Sequence, residues 1–401
     1  MKRTEPLGVT AMSTEIYRDF EHTGPGTLAG RYMRAFWQPV YRDEDLSPGR
    51  AAPIRIMSED FTLYRGEGGA LHLVAPRCAH RGTQLSTGWV EGDCIRCRYH
   101  GWKYEGSGQC VEQPGEDSEV QGFKGLKIRS YPVKEYLGLI FAYLGEGAAP
   151  PLQRYPQFEQ PGMLFAIPPE TWPCNYYNRL DNDADGFHVV FTHKESIRRA
   201  GKLREYSKRI ISAEVTPYGV RTTNHHGDIK PDDDLHSFMP NANQILVATG
   251  VASAKGALER QVWEDRITWA VPIEDETSLR FEVNLVHMSG PAADAFEKSR
   301  RAELERVKGL ANNWGEKILQ GKLSVEELDQ SLSTYEIFRI EDYICQVGQG
   351  RISNRTQERL AHLDAGVVLR RKLWERELMA LADGKPLTQW EIPESLNGIR
   401  A

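Results

Sequence analysis

No stretch of this sequence is apolar for long enough to cross a bilayer, and the opening MKRTEPLGVTAMSTEIYRDF is basic without the apolar core of an export signal. The expectation is a cytoplasmic protein with no membrane partner. Excess positive charge is also missing. Fifty Lys and Arg against 56 Asp and Glu leave a net charge of −6, which argues against a general nucleic-acid binder. Cysteine is scarce, six in 401 residues, and three of the six fall between Cys78 and Cys97. Crowding of that kind does not suit a disulfide framework and points to metal ligation. The chain also lacks a dinucleotide or flavin fingerprint, since its GEGG at Gly66 is too short and lies in a hairpin pattern.

What is present suggests two domains, the natural division for a chain of this length. Residues 1–39 read as an N-terminal segment, in which GPGTLAGRYMRAFWQPV predicts a helix followed by an extended entry at Pro39. Short apolar runs separated by glycine-rich turns between Ile54 and Tyr143 predict an all-β unit, placed at 40–150. GAAPPLQRYPQFEQPG reads as the linker out of it. In 151–401, the runs RIISAEVTPYGVRTT, NQILVATGVAS, DRITWAVPI and SLRFEVNLVHM predict an antiparallel sheet. Helices are expected near 292–309 and 334–347, with a further amphipathic one between Arg351 and Trp390 that ends at Gly384 and carries a solvated charge run. The fold class is α+β.

The β unit contains Cys78-Ala79-His80-Arg81-Gly82 and Cys97-Arg98-Tyr99-His100-Gly101-Trp102, with sixteen residues between His80 and Cys97. Each half presents one thiolate and one imidazole from a tight loop. Such donors suit zinc or a two-iron cluster. The pairing favours the cluster, because two cysteines can hold one iron while two histidines hold the other, the Rieske arrangement of a [2Fe–2S] centre. Gly82 and Gly101 would let the backbone approach the cluster sulfurs. Cys94 forms a CxxC with Cys97 that keeps a zinc site open as the lesser reading; otherwise Cys94 and Cys110 are spectators.

A second concentration of ligands is LDNDADGFHVVFTH, from Leu180 to His193. On a helix, Asp185 and His188 share a face and can hydrogen-bond. His193 lies five beyond His188, so both imidazoles reach one metal only if the helix bulges or ends between them. With a carboxylate from elsewhere they would form the facial triad of non-haem iron(II), leaving positions open for dioxygen. The helix containing Glu341 and Asp342 is the place to look. Ile337, Ile340, Ile344 and Val347 define its apolar face, with Glu341 at the margin and Asp342 nearly opposite, so periodicity alone prefers Glu341. The plainer alternative is two ordinary histidines near a helix end and two solvated acids.

CAHRG, CRYHGWKY and NDADGFHVVFTH, in that order across nearly the whole chain, resemble the signatures of the oxygenase (α) subunits of Rieske non-haem iron oxygenases, in the phthalate-dioxygenase-like and aromatic O-demethylase branch. Ala79 and Arg98 stand where proline is frequent in that family, and neither is a ligand position. The resemblance implies an N-terminal Rieske domain followed by a catalytic domain of helix-grip, START-like form. It implies a [2Fe–2S] cluster on Cys78, His80, Cys97 and His100, and mononuclear iron(II) on His188, His193 and Asp342. Asp342 is preferred there over Glu341 because the family's ligating aspartate lies eight residues before a glycine, here Gly350. It further implies a head-to-tail homotrimer in which Asp185 links His188 to His100 of the adjacent chain, with Asn182 close to the iron. The implied co-substrate is dioxygen, with electrons from NAD(P)H through a reductase and in some systems a ferredoxin. The implied reaction is hydroxylation or O-demethylation of a small aromatic, such as a lignin-derived one, with ring cis-dihydroxylation as the alternative. A pure electron carrier would need only the four cluster residues.

Among the remaining candidates, His225, His226 and His236 fall in NHHGDIKPDDDLH, a solvated loop or a lid. His22, His72, His287 and His362 read as structural. Arg198 and Arg199 either grip a substrate carboxylate or lie on the surface. The two metal readings separate on purification: a reddish-brown chain containing iron and acid-labile sulfide is expected, and a colourless chain containing zinc would overturn the cluster.

Overall fold

The computed structural model describes residues 19–116, 125–201, 210–225, 233–252 and 258–396; residues 1–18 and His226 lie outside them. A short helix, α1 (Leu28–Arg34), is capped by the Thr27 hydroxyl and runs into a strand at Trp37–Arg42, as its sequence predicts. Between Trp37 and Tyr143 the chain builds three small antiparallel sheets. One of them pairs Trp89–Glu91, Cys94–Arg96, Lys103–Glu105 and Cys110–Glu112 in order. The Cys97–Gly101 loop is the turn between its second and third strands, and the Cys78–Gly82 loop follows the strand Leu71–Val74. A small core of Tyr64, Val74, Leu85, Ile95, Trp102 and Tyr104 packs beneath both loops with the two cysteines.

The larger half is a seven-stranded antiparallel sheet in the order Met163–Trp172, Thr277–Val286, Leu258–Glu274, Ala242–Ala252, Asp233–Phe238, Gly219–His225, Ile210–Thr216. Across it lies α2 (Tyr176–Ala184), followed in the chain by the short helices α3 (Val189–Thr192) and α4 (Lys194–Arg199). The helix expected over 292–309 is α5 (Pro291–Arg306), and a further helix not expected from the sequence, α6 (Leu310–Leu319), follows it. The break is at Gly309, whose φ of 67° is left-handed. Helix α7 spans Thr334–Val347, opened by a reciprocal Ser333–Glu336 capping box. Helix α8 covers only Ala365–Ala382, with Gly384 beyond it at φ 67°.

The solvated charge run expected of α8 is corrected by burial: Arg370 is 0% and Glu377 1% exposed. Arg370 donates to the carbonyls of Leu180, Pro240 and Ala242, so its charge ties α8 to the end of α2 and to the sheet. Trp374 of α8 sits among Phe20, Tyr32 and Tyr177 at ring separations of 4.9–6.0 Å. Burying Tyr176, Tyr177 and Leu180 stabilises α2 on the sheet by roughly 2 kcal/mol each. The consequence is a fixed platform for the residues that follow Ala184.

Helix α7 is positioned partly by its crossing with α6. A Cβ on Gly315 would come 2.2 Å from the Tyr343 ring, and the Tyr343 hydroxyl donates to Glu316 Oε1 at 2.7 Å. Gly315→Ala therefore forces the ring aside. Although alanine favours the helix by about 1 kcal/mol, a net loss of roughly 1–3 kcal/mol is expected from the shift in the urea midpoint. An unchanged or raised midpoint would contradict that crossing.

Candidate functional site

The two cysteine–histidine loops close in the same way. Gly82 N–H donates to the Cys78 carbonyl at 2.9 Å and Cys78 N–H to the Thr83 carbonyl at 2.8 Å; Gly101 to Cys97 and Cys97 to Trp102 repeat the pattern at 3.0 and 2.8 Å. Both glycines have positive φ, 73° and 76°. The turn itself therefore requires glycine at each position. The thiols are buried, 3% and 1% exposed, while the His80 and His100 rings lie 4.5 Å apart toward the surface. Trp102 stacks on His80 at 4.6 Å, and the Tyr104 hydroxyl sits 3.2 Å from Cys78 Sγ. Burial pushes the Cys78 thiol pKa up, against the hydrogen bond from Tyr104, so conversion to a ligating thiolate is left to a bound cation. A buried thiol pair beside a surface imidazole pair fits a two-iron cluster held unequally at its two ends. Cys94 and Cys110 stand on strands opposite Glu105 and Tyr104, as free thiols.

At the second site, α2 ends at Ala184 and Asp185 takes extended backbone. Asp185 Oδ1 accepts from the N–H groups of Phe187 and His188 at 2.7 and 3.3 Å, which starts the single turn α3; His193 ends that turn and begins α4. The chain thus re-aims between the two imidazoles by ending a helix rather than bulging it. His188 Nδ1 donates to the main-chain carbonyl of Asp185 at 2.6 Å, and the Asp185 carboxylate stays 3.8 Å away. The expected side-chain bond between the two is therefore replaced by a backbone one.

His188 Nε2 lies 3.9 Å and His193 Nε2 3.5 Å from Asp342 Oδ1, and the three donor atoms are all within 4.8 Å of one another. His193 Nδ1 faces Glu341 Oε2 at 3.2 Å. With each Nδ1–H engaged, both Nε2 lone pairs turn to one point. His193 Nε2 is buried without a hydrogen-bond partner among the described residues, which fits a metal-ligating nitrogen. The Asn182 amide lies 3.3 Å from Asp342 Oδ1 and 3.5 Å from His188 Nε2.

Glu341 and Asp342 are 1% and 4% exposed, so neither is a solvated acid and the helical wheel is a poor judge here. Most of α7 is buried, including Tyr343 and Gln346. Sequence reasoning missed what Glu341 does besides facing His193: it accepts from the N–H groups of Glu195 and Ser196 at 3.0 and 3.2 Å. It also missed Phe338, stacked on His193 at 3.4 Å, and Asn178, whose amide donates to the carbonyls of Gln346 and Gly350. A recurrence of Phe338, Glu341 and Asp342 at helical spacing was the available signal.

Other candidates settle elsewhere. Arg198 and Arg199 clamp Glu195 at 2.6–2.8 Å, and Arg199 also caps the carbonyls of Leu328 and Asp329, which leaves the substrate-grip reading without support. Hydrogen bonds from Arg198, against burial, and from Arg199 bring the Glu195 carboxyl down to about 2. His236 is not in a solvated loop; it is buried in a strand against Tyr218 at 2.7 Å, and burial pushes its pKa down to about 4. His225 meets Ser212 at 2.8 Å, and His287 meets Asp265 at 2.6 Å.

The chain matches the family described as Rieske [2Fe-2S] domain over residues 36–132. It is 27% identical over 386 residues to the 5,5'-dehydrodivanillate O-demethylase oxygenase subunit of Sphingobium sp. (strain NBRC 103272 / SYK-6), covering 93% of this chain and 82% of that one. It is 35% identical over 323 residues to the tert-butanol monooxygenase / tert-amyl alcohol desaturase oxygenase subunit of Aquincola tertiaricarbonis, covering 70% and 65%. The fold is like that of Pseudomonas putida CBB5 NdmA, with a TM-score of 0.63 at 18% identity over 88% of this chain and 92% of that one.

Arg280 reaches Asp342 Oδ2 at 4.0 Å, Asp183 at 3.9 Å and Glu282 at 3.8 Å. Burial raises the Glu282 carboxyl pKa, but Arg280, Arg266, Arg339 and Arg300 outweigh burial and hold it below its ordinary value. A carboxyl held low adds stability above its unfolded pKa, about 4.3, and loses it as pH falls through the folded value. Arg280→Met is expected to cost roughly 3 kcal/mol at neutral pH. The deficit, followed by urea unfolding, should be widest above about pH 5 and narrow in acid. A deficit independent of pH would contradict the role given to Arg280.

Proposed function

Because this chain belongs to the Rieske non-haem iron oxygenases, we propose that it is the terminal oxygenase of a multicomponent system that hydroxylates or O-demethylates an aromatic substrate, drawing electrons from NAD(P)H through a separate reductase, directly or by way of a ferredoxin. The observation that carries this reading is the presence in one polypeptide of the paired cysteine–histidine loops and of three donor atoms, from His188, His193 and Asp342, within 4.8 Å of one another. A pure electron carrier has no use for the second set. In this reading Cys78, His80, Cys97 and His100 hold the [2Fe–2S] cluster, and His188, His193 and Asp342 hold the iron(II). When bound, the cluster supplies single electrons and the iron(II) supplies dioxygen binding and reduction. The Asn182 amide steadies Asp342 Oδ1 without serving as a firm ligand.

The nearly end-to-end similarity to an O-demethylase supports a methoxylated aromatic such as a lignin-derived one. Hydroxylation of a methoxy carbon gives a hemiacetal that collapses to a phenol and formaldehyde, the second oxygen atom leaving as water. Among the described residues no helix is long and apolar enough to cross a membrane, which agrees with work in the cytoplasm, where NAD(P)H is available.

The proposal extends to a head-to-tail homotrimer in which Asp185 of one chain meets His100 of the next. Its support is that the Asp185 side chain keeps 26% exposure while its own carbonyl holds His188, and that His100 lies toward the surface of the cluster loops.

Oxygen and NADH consumption with a generic reductase should be screened against methoxylated aromatics, aromatic acids and tertiary alcohols, with formaldehyde scored separately from diols. Formaldehyde matching oxygen uptake is expected. A diol would replace demethylation by ring dihydroxylation, and iron-loaded chain with no substrate-dependent oxygen uptake would sink the oxygenase reading. Asp185→Asn is expected to retain both metals and lose nearly all turnover; full turnover would remove Asp185 from the electron route.

A further inference from the structure

The face of α7 that carries Asp342 holds more than a ligand. Phe338, Glu341 and Asp342 recur at spacings of three and four, so they share one side of the helix. All three meet the same ring: Phe338 stacks on His193 at 3.4 Å and an interplanar angle of 10°, Glu341 Oε2 faces Nδ1 at 3.2 Å, and Asp342 Oδ1 lies 3.5 Å from Nε2. The geometry points to Glu341 as the positioning residue of the iron site, a buried carboxylate that fixes the tautomer and direction of His193 and binds α4 to α7 so that His193 and Asp342 move together.

Glu341 is 1% exposed, and among the described residues no lysine or arginine stands within ion-pair distance of it. A buried carboxylate without a cation is costly unless its oxygens are fully hydrogen-bonded. Here one oxygen takes the N–H groups of Glu195 and Ser196, at 3.0 and 3.2 Å, and the other faces His193 Nδ1. The backbone pair locks Oε1 to the first turn of α4, immediately after His193. Oε2 is thereby left facing the ring, and its demand for a donor keeps the imidazole proton on Nδ1. The Nε2 lone pair must then point away from Glu341, toward Asp342. A cation bound there lies across the ring from the carboxylate, and the carboxylate raises the basicity of the nitrogen that holds it. Glutamine cannot replace this arrangement, because an amide presents one acceptor and one donor where two acceptors are required.

This inference rests on the reading that His188, His193 and Asp342 hold iron(II). Wild-type chain, Glu341→Gln and Glu341→Asp should be purified with iron, and iron(II) retention measured by competition with a chelator. Cluster absorbance and thermal unfolding should be followed on the same samples, together with the electron paramagnetic resonance spectrum of the nitric oxide adduct. Glu341→Gln is expected to retain mononuclear iron about 10–100-fold more weakly, with unaltered cluster absorbance and a changed nitric oxide adduct spectrum. Glu341→Asp keeps the charge but is one methylene short, and should fall between. If Glu341→Gln folds poorly, the aspartate variant alone decides: weakened iron with an unshifted melting temperature supports the inference, and iron loss that merely tracks melting overturns it. Unchanged retention and spectrum in Glu341→Gln also overturn it. Wild-type chain that binds no iron at this site would instead remove the functional reading beneath.

Discussion

Two segments roughly 150 residues apart bring three donor atoms together in a largely buried space, and the structure holds them there by making one buried carboxylate, Glu341, answer to both segments. A chain of contacts through α2 and α8 holds the two segments in range of each other. Asn178 ties the end of α7 to α2, and Arg370 ties the end of α2 to the sheet through α8. The aromatic cluster around Trp374 keeps α2 from rotating. His188 and His193 then follow α2 through a turn organised by Asp185.

Charge burial on the sheet side of α7 obeys the same logic. Arg280 stands among Asp342, Asp183 and Glu282, while Arg339 pairs with Glu170 at 2.8 Å. Alternating signs let several ionised groups share a dry interior that none could occupy alone. The net effect on Asp342 is that Oδ2 faces a cation of the protein and Oδ1 faces the two imidazoles.

Legibility in the sequence followed the range of the interactions. The cluster loops could be read because their hydrogen bonds close within five residues, so spacing carries nearly all of their geometry. The Thr334–Val347 helix could be read from its period. The antiparallel sheet was legible as strands, though not as an order. Glu341 against Asp342 was not decidable from a wheel, since a helix surrounded on most sides has no solvent face to contrast with an apolar one. The positions of Arg198, Arg199 and His236 depended on partners brought by folding, and no local pattern reports those. The end of α5 near Gly309 was legible because a left-handed glycine stops a helical pattern, whereas the next helix, α6, was missed.

Gly315 and Tyr343 press α6 against one flank of α7, Trp172 and Cys174 close another, and His188 and His193 face a third. A helix so enclosed has almost no freedom to drift by point mutation, because any change in side-chain volume is felt by a neighbour that is itself fixed. Small adjustments of shape near the candidate site are therefore left to the strands across the sheet and the loops that join them, while the enclosed helix holds its place.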